Sequence, residues 1–397
     1  MAQHAMVPAY DFQHSESAFG REGAGVSVRQ WYRPMTFLSG ACVACVRRLG
    51  WRLRAASVRA DVRVRACFPD EIPPMANRRD FLHTAALSAA GLALAPLAAC
   101  SQETAAPAST AAAPTEAEKP FSGTLLKREI PATGERIPVI GMGTSGSFEV
   151  GADAAARAPL REALRRFIAA GATVIDTAPT YSSAEDALGD LVAEAKARDK
   201  LFIATKLSGV SGREQGLAQF EESLRRLRTE RIDLLQVHNL GDTRTQLTLA
   251  RELKQQGKVR LVGLTHYREQ AQEQLAQEMR ALKPDFVQIN YSPVSRGAER
   301  TIFPFARELG IAVMINRAFE DGRLFAQVKG KPLPPWAGEV GADSWAQLFL
   351  KFALSDPAVT VVIPATSKPK NQTDNLRAGT GVMLDARQRE ALVAAIG

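Results

Sequence analysis

The sequence predicts an α/β protein, a (β/α)8 TIM barrel that begins with a short β-hairpin. Eight short apolar runs rich in β-branched residues alternate with longer segments whose apolar residues recur at i, i+3, i+4 and i+7. Near-continuous apolar strands that are separated by helices form a parallel sheet buried on both faces. Eight such units within residues 121–397 fit one barrel better than two domains.

Each of the eight predicted strands is a run of six or seven residues. They cover residues 138–143, 172–177, 201–206, 232–238, 259–265, 285–290, 311–316 and 360–365. Helical periodicity is clearest over residues 160–171, 218–228, 247–257, 271–282, 302–310 and 344–354. Ahead of them, residues 125–140 read as two short strands around a PATGE turn, and we expect this hairpin to plug one end of the barrel.

The basic character of the chain is concentrated at its N-terminus. The formal net charge is +8, from 50 basic and 42 acidic residues. Residues 1–99 hold 12 Arg, no Lys and seven acidic residues, so they contribute +5 and the rest of the chain only +3. The nearly neutral body lacks the basic surface typical of nucleic-acid binding. We therefore expect a small-molecule partner and no nucleic acid.

The positions of the cysteines exclude a disulfide-stapled main domain. The four are Cys42, Cys45, Cys67 and Cys100, and none follows position 100. A zinc or iron–sulfur site built on Cys is excluded there for the same reason. The C-x-x-C at Cys42 and Cys45 has no second pair and no βαβ pattern around it, which disfavours a metal or redox site. We predict no metal site.

Residues 75–100 have the pattern of a bacterial export signal. A twin arginine at 78–79 is followed by Phe-Leu, an apolar stretch of about fifteen residues and L-A-A-C ending at Cys100. The stretch is shorter than the ~20 residues of a membrane-spanning helix, so we interpret it as the hydrophobic part of a signal rather than as a buried Ala-rich helix. The twin arginine resembles signals of the Tat pathway, which exports folded proteins. L-A-A-C resembles a lipobox, so we predict a periplasmic lipoprotein anchored in the membrane through Cys100.

Two further segments flank this signal. A signal of this kind stands at an N-terminus, so we expect translation to start at Met75 and residues 1–74 to be an extension that is rarely or never made. Residues 101–120 are rich in Ala, Pro, Ser and Thr and carry no large apolar residue, which is typical of a flexible, disordered tether. The predicted folded domain is then residues 121–397.

Polar residues stand where the predicted strands end, the face that carries the active site in a (β/α)8 barrel. Asp176 and Lys206 end otherwise apolar strands, where an unpaired charge costs several kcal/mol. We expect them to pair, with Tyr181 and His238 in the same mouth; the alternative is a purely structural pair at the rim. The strand-end residues are Thr144, Asp176, Tyr181, Lys206, His238, Thr265, His266, Gln288, Tyr291, Asn316, Arg317 and Thr366.

A G-x-G-x-x-G pattern at residues 141–146 is not interpreted as a Rossmann fingerprint. That fingerprint requires a helix that opens immediately and an acidic residue about 20 positions further on. Here SFEVGADAAARAP follows, with no immediate helix and with Asp153 too early. The pattern therefore carries no prediction of a Rossmann-type dinucleotide site.

Seven motifs in order along the chain resemble the aldo-keto reductase family. They are I-G-M-G-T (140–144), D-T-A-P-T-Y-S-S-A-E (176–185), A-T-K (204–206), D-L-L-Q-V-H (233–238), V-G-L-T (262–265), V-Q-I-N-Y-S (287–292) and I-P-A-T-S-K (363–368). The resemblance covers residues 124–397. It implies NAD(P)H-dependent reduction of a small aldehyde or ketone, with a catalytic tetrad at Asp176, Tyr181, Lys206 and His238.

The chemistry of those four side chains agrees with the resemblance. A free tyrosine has a pKa near 10 and is a slow proton donor at neutral pH. We expect Lys206 to lower the pKa of Tyr181, the general acid, because a neighbouring cation favours phenolate. Asp176 would hold Lys206 in place and keep it charged. His238 would hydrogen-bond the carbonyl oxygen and orient it.

The resemblance also implies cofactor contacts, with departures from the family pattern. Gln288 matches the residue that holds the nicotinamide carboxamide, Asn375 an adenine contact, and Thr265 a position where Ser or Thr is usual. His266 replaces the common Asn, and Arg317 stands near the place of the aromatic residue that stacks on the nicotinamide. Ala365 and Asn371 replace the Lys and Arg that grip the 2′-phosphate of NADPH, while Lys368 and Lys370 stand close by. The predicted contacts are Thr144, Asp176, Thr265, Gln288, Arg317, Thr366, Lys368 and Asn375, with NADPH favoured and NADH the alternative.

Two other classes of function fit less well. A nicotinamide-binding sensor or accessory subunit on the same fold has no need of Tyr181 and Lys206. A metal-dependent barrel enzyme lacks acidic ligands, since only His238 and His266 are histidines near strand ends. We expect the substrate pocket to be lined by Phe148, Trp336 and Trp345. The sequence indicates neither the substrate nor the oligomeric state.

Overall fold

Eight parallel strands form one barrel in the computed structural model, which describes residues 120–397. The predicted N-terminal extension, the export signal with Cys100 and the tether up to residue 119 lie outside the described residues. Within residues 120–397, no helix combines the length and the hydrophobicity that a bilayer span requires.

The strands occur along the chain in the order in which they stand around the barrel. The barrel strands are β3 (Met142–Gly143), β4 (Val174–Asp176), β5 (Phe202–Leu207), β6 (Ile232–His238), β7 (Val259–Thr265), β8 (Phe286–Asn290), β9 (Ala312–Asn316) and β10 (Val359–Val362), preceded by β1 (Lys127–Glu129) and β2 (Arg136–Pro138). Each barrel strand pairs with the next in parallel. Parallel bridges from Ile140 to Val362 and from Gly143 to Ala365 join the first strand to the last and close the barrel.

Helices cover the outside of the barrel between the strands. They are α1 (Ala154–Ala169), α2 (Ala184–Glu194), α3 (Gly212–Arg226), α4 (Thr243–Gln255), α5 (Gln272–Leu282), α6 (Ala298–Thr301), α7 (Phe303–Leu309), α8 (Arg323–Gln327), α9 (Trp345–Leu354), α10 (Pro369–Ala378) and α11 (Ala386–Ile396). All six segments with predicted helical periodicity are helical over most of their length. Helices α2, α6, α8, α10 and α11 were not predicted.

The predicted hairpin is confirmed and closes the N-terminal end of the barrel. β1 and β2 pair antiparallel, with Arg128 opposite Ile137. Ile130 and Ile137 are buried in one cluster with barrel side chains such as Phe202, Phe286 and Val361. The plug leaves the opposite, C-terminal end of the barrel for a site.

The first two glycines of the G-x-G-x-x-G pattern, Gly141 and Gly143, serve the closure of the barrel. A Cβ on Gly141 would lie 2.8 Å from the carbonyl oxygen of Val174, and one on Gly143 would lie 2.8 Å from that of Ile363. Backbone atoms at such distances leave no room for a side chain. Only glycine therefore lets the first strand approach both of its neighbours closely.

Substitution of Gly143 by alanine tests this close packing. We expect Gly143→Ala to lower the free energy of unfolding by about 1–3 kcal/mol, because the added methyl overpacks a rigid backbone contact. Gly338→Ala is the matched control, since a Cβ there meets no atom within 4 Å. Urea unfolding followed by circular dichroism measures both variants, and equal stability of the two would contradict the assignment.

Candidate active site

The side chains that point into the barrel are apolar near its N-terminal end and polar near its C-terminal end. On β5, Phe202 and Ala204 belong to the interior cluster, and Lys206 is the next residue on the same face. On β6, Leu234 is in that cluster, and His238 follows on that face at the strand end. The top of the barrel interior is therefore polar.

Asp176 and Lys206 form the buried pair that their strand-end positions predict. Lys206 Nζ donates to Asp176 Oδ2 at 2.6 Å and to the carbonyl oxygen of Thr177 at 2.7 Å. The Lys206 side chain is 0% exposed and that of Asp176 4%. Burial by itself lowers the pKa of Lys206, but the attraction of Asp176 and Tyr181 outweighs it, so the pKa lies above its usual value and the ammonium keeps its charge.

Two glutamine amides satisfy the second carboxylate oxygen. Gln288 Nε2 donates to Asp176 Oδ1 at 2.8 Å, and Gln236 Nε2 donates to the same atom at 3.1 Å. The Oε1 of Gln288 accepts from Thr265 Oγ1 and Asn316 Nδ2. A buried carboxylate with a cation and two amide donors is fully compensated, which holds Lys206 in one position.

Tyr181 lies beside Lys206 and His238. Lys206 Nζ is 5.1 Å from the centroid of the Tyr181 ring. The rings of Tyr181 and His238 meet edge to face, with centroids 6.0 Å apart. Burial raises the pKa of Tyr181, and Lys206 opposes this without cancelling it, so the net shift is upward. This corrects the expected net lowering: the effect of the cation has the predicted sign, but the loss of hydration on burial is larger.

His238 is neutral at physiological pH. Burial and the nearby Lys206 ammonium and His266 lower its pKa to about 3. Burial removes the hydration of an imidazolium, and the positive charge of Lys206 repels it, so the protonated form of His238 is disfavoured. A neutral imidazole has one N–H donor and one lone pair, so His238 can donate a hydrogen bond to an oxygen without carrying charge.

These side chains open into a cleft of about 770 Å³ at the C-terminal end of the barrel. Its floor includes Asp176, Tyr181 and His238. A cavity of about 450 Å³ shares part of its wall and extends to Asn375. The shared lining residues are Phe319, Phe325, Ala365, Thr366 and Asn371. The two cavities adjoin at these residues, and we refer to them together as the groove.

Comparison with protein families matches residues 139–396 to the aldo/keto reductase family. The chain belongs to this family. The fold class predicted from the sequence is confirmed, and the enzyme class follows from the family: an oxidoreductase that uses a nicotinamide cofactor.

Relatives of known sequence and structure agree with this assignment. The chain is 30% identical over 169 residues to aldo-keto reductase YhdN of Bacillus subtilis, covering 39% of this chain and only half of that protein. It is 32% identical over 237 residues to methylglyoxal reductase YeaE of Escherichia coli, covering 58% and 82%. A Klebsiella pneumoniae aldo/keto reductase solved with NADP and acetate is 26% identical, with a TM-score of 0.55 over 65% of this chain and 91% of that chain.

The groove of this aldo/keto reductase suits a nicotinamide dinucleotide. Helix α10 begins at Pro369, and its N-cap residue Lys368 provides no side-chain cap. An uncapped helix N-terminus carries partial positive charge and binds phosphate groups. Lys368 and Asn371 both line the cleft at this point. The donor set fits a phosphate-bearing cofactor.

All eight predicted cofactor contacts lie in this groove. Asn375 lines the smaller cavity, and the main cleft is lined by Thr144, Asp176, Thr265, Gln288, Arg317, Thr366 and Lys368. Lys370, which stands close by in sequence, lines neither cavity. Ala365 and Asn371, the departures from the family pattern, line both cavities. Lys368 is thus the lysine of the cleft available to a 2′-phosphate.

Arg317 and Gln288, both predicted to contact the nicotinamide, already have partners within the protein. Arg317 forms an ion pair with Asp321 and lies 5.3 Å from the ring centroid of Tyr267. Its guanidinium therefore stacks on a tyrosine of the cleft wall. Gln288 Nε2 donates to Asp176, and its Oε1 accepts from Thr265 and Asn316, so both ends of this amide have partners within the protein.

The prediction of the substrate pocket was wrong in its aromatic residues. Phe148 is 0% exposed and belongs to the core, Trp336 does not line the cleft, and Trp345 lines only the adjoining cavity. The aromatic walls of the cleft are Tyr181, Tyr267, Phe319 and Phe325. Phe319 and Phe325 belong to the loop and helix after β9, and their proximity in sequence to Arg317 is the signal that would have found them.

Proposed function

We propose that this protein reduces a small aldehyde or ketone to an alcohol, with NADPH favoured and NADH as the alternative. A bound reduced nicotinamide supplies a hydride for the carbonyl carbon. The observation that carries the proposal is the placement of Tyr181 and His238 in the cleft above the buried Asp176–Lys206 pair. A protein that only binds the cofactor does not need a charged lysine, held by Asp176, next to Tyr181.

Tyr181 supplies the proton of this reaction. Its raised pKa keeps the phenol protonated at neutral pH. As the phenol gives its proton to the carbonyl oxygen, negative charge develops on Tyr181 next to the Lys206 ammonium. Lys206 stabilises that charge more than it stabilises the neutral phenol, which lowers the barrier. Asp176 holds the ammonium and compensates its charge in the resting enzyme.

His238 orients the carbonyl group. As a neutral imidazole it can donate one hydrogen bond to the carbonyl oxygen, and its ring faces the Tyr181 ring across the site. Two donors on one oxygen fix the direction of the carbonyl and polarise it. The reduction then needs no charge on His238.

The substrate we propose is a small, reactive carbonyl compound such as a 2-oxoaldehyde. One relative of this chain is a methylglyoxal reductase and another a glyoxal reductase. The aromatic walls of the cleft leave an apolar space above Tyr181. Oxidation of NADPH and NADH is measured with a panel of aldehydes and ketones that includes methylglyoxal. Turnover supports the proposal, whereas cofactor binding without turnover on any carbonyl favours a sensor.

The pH dependence of carbonyl reduction follows from the shifted pKa values of Tyr181 and His238. We expect reduction to be insensitive to pH between about 6 and 9, because Tyr181 stays protonated and His238 stays neutral across this range. Reduction falls only when the pH rises through the raised pKa of Tyr181, and alcohol oxidation, which needs the phenolate, rises there. Profiles of kcat in both directions test this, and an inflection near pH 6.5 would contradict a neutral His238.

We also propose that the protein is exported in folded form and held in the membrane through a lipid on Cys100. Support comes from the twin arginine at 78–79, the L-A-A-C at its expected distance and the Ala/Pro-rich tether of residues 101–120. Nicotinamide cofactors are scarce outside the cytoplasm, so the cofactor would be loaded before export and retained.

Substitution of Cys100 tests the anchor. We expect Cys100→Ser to move the protein from the membrane fraction to the soluble fraction, because no thiol is left to carry a lipid. Ser109→Ala, in the tether that follows Cys100, is the control and should leave the fractionation unchanged. Mass spectrometry of the native protein reports its N-terminus, and peptides from residues 1–74 would contradict a start at Met75.

A further inference from the structure

The two ring nitrogens of His238 have different surroundings. Nδ1 lies 2.5 Å from the Oγ of Ser208. Nε2 has no hydrogen-bond partner among residues 120–397, and the ring lines the cleft. The imidazole is therefore held by its inner nitrogen and presents the outer nitrogen to the substrate space.

Ser208 stands directly after β5, and the barrel register places it beside His238. Leu207 pairs with Val237, so the next residue on each strand is Ser208 on one and His238 on the other. Ser208 also lies two residues beyond Lys206 and so continues the face of β5 that points into the site. Its position follows from the same geometry that places Lys206.

Gln219 on α3 holds the Ser208 backbone from both sides. The N–H of Ser208 donates to Gln219 Oε1 at 2.7 Å, and Gln219 Nε2 donates to the carbonyl oxygen of Ser208 at 2.9 Å. Ser208 is 6% exposed. A residue held by both backbone groups in a buried place keeps its hydroxyl at one position, so the contact with Nδ1 is preorganised.

A second hydroxyl extends the hydrogen-bond chain from His238 through Ser208. Thr180 Oγ1 lies 3.0 Å from Ser208 Oγ. If Thr180 donates to Ser208, the single hydrogen of Ser208 is left for Nδ1. Because His238 is neutral, its one N–H is then on Nε2. A carbonyl oxygen only accepts hydrogen bonds, so this tautomer is the one that reduction requires.

We propose that Ser208 is a positioning residue for the reaction: its hydroxyl donates to His238 Nδ1, which holds the ring and places the proton on Nε2, facing the substrate. Thr180 and Gln219 support Ser208 in this role. The inference rests on the proposed carbonyl reduction, but the tautomer of His238 is measurable without turnover.

Kinetics of Ser208→Ala test the functional half of the proposal. We expect kcat to fall about 10- to 100-fold, by analogy with the loss of the hydrogen-bond partner of a metal-binding histidine, with the Kd of NADPH unchanged. Ser208→Thr keeps the hydroxyl and should restore most of kcat. Ser211→Ala is the matched control, since Ser211 is exposed in the same loop and its side chain caps nothing.

Nuclear magnetic resonance of the protein, labelled with ¹⁵N in its histidines, tests the tautomer directly. His238→Gln assigns the signals. We expect the Nε2–H form in the wild type and a shift toward the Nδ1–H form in Ser208→Ala. Thr180→Val, which leaves Ser208 in place, should shift the populations in the same direction and provides a second variant if Ser208→Ala folds poorly.

The two measurements separate the outcomes. An Nδ1–H form in the wild type overturns the proposal, and so does a loss of kcat in Ser208→Ala without a change of tautomer, since that loss would be structural. A changed tautomer with unchanged kcat overturns it as well. If the wild type reduces no carbonyl, the proposed function fails, while the tautomer spectra still decide the role of Ser208.

Discussion

Replacement of Tyr181 by phenylalanine is expected to lower kcat for carbonyl reduction by about 100- to 10,000-fold, the range found when a general acid is lost. The variant keeps the ring, which packs against the core and contacts His238 edge to face. It removes only the proton donor. We therefore expect the fold and the Kd of NADPH to be retained, and the loss to appear in kcat rather than in KM for the carbonyl.

Tyr291→Phe is the control for the loss of a buried phenol. The Tyr291 hydroxyl bonds Glu299 and Arg389 outside the cleft, so its removal should cost stability and leave kcat of the folded protein unchanged. Initial rates of NADPH oxidation and fluorescence titration with NADPH measure both variants. Tyr181→Phe with more than a tenth of the wild-type kcat would rule out Tyr181 as the proton donor.

Replacement of Asp176 by asparagine is expected to lower the free energy of unfolding by about 3–5 kcal/mol, because it leaves the Lys206 ammonium buried without an anion. Asp176 Oδ2 accepts from Lys206 while Oδ1 accepts from Gln236 and Gln288. Asparagine has one oxygen and one NH₂ group, so either the lysine or the two amides lose their acceptor. Urea unfolding of the two proteins measures the difference.

The stability difference between wild type and Asp176→Asn should depend on pH. In the wild type the pKa of Lys206 is raised, so the pair stabilises the fold below the unfolded pKa of about 10.4, and that contribution is lost as the pH rises through the folded pKa. In the variant a buried, unpaired ammonium destabilises the fold in the same low range. The difference is therefore largest at neutral pH and narrows above about pH 10.

Asp186→Asn is the matched control for this effect. Asp186 lies 3.9 Å from Arg226, and its side chain is 45% exposed, so water screens the pair. We expect the substitution to change the free energy of unfolding by less than about 1 kcal/mol. If Asp176→Asn costs no more than Asp186→Asn, the buried pair is not the element that holds the site together.

The helices that the sequence did not predict show where apolar periodicity fails to identify a helix. Helix α2 carries Gly189, a residue that disfavours helix, in its interior. The reason is tertiary: a Cβ at Gly189 would lie 2.1 Å from the carbonyl oxygen of Arg226, so the glycine allows α2 and the end of α3 to touch. Packing between distant segments overrides local propensity here.

The sequence by itself determined the barrel, the closing hairpin and the polar strand ends at Asp176, Lys206 and His238, because side chains alternate along a strand and parallel strands end on one face. The grouping of these residues with Tyr181 as a tetrad came from the family resemblance. Only the tertiary structure decided the pKa of each side chain and the contacts that each one makes. Burial makes the pKa of Tyr181 rise despite Lys206. Gln288 and Gln236 become neighbours of Asp176, and Ser208 becomes a neighbour of His238. These contacts join residues that are 30 to 112 positions apart in the sequence, and burial depends on equally distant segments. A local sequence pattern therefore cannot predict them.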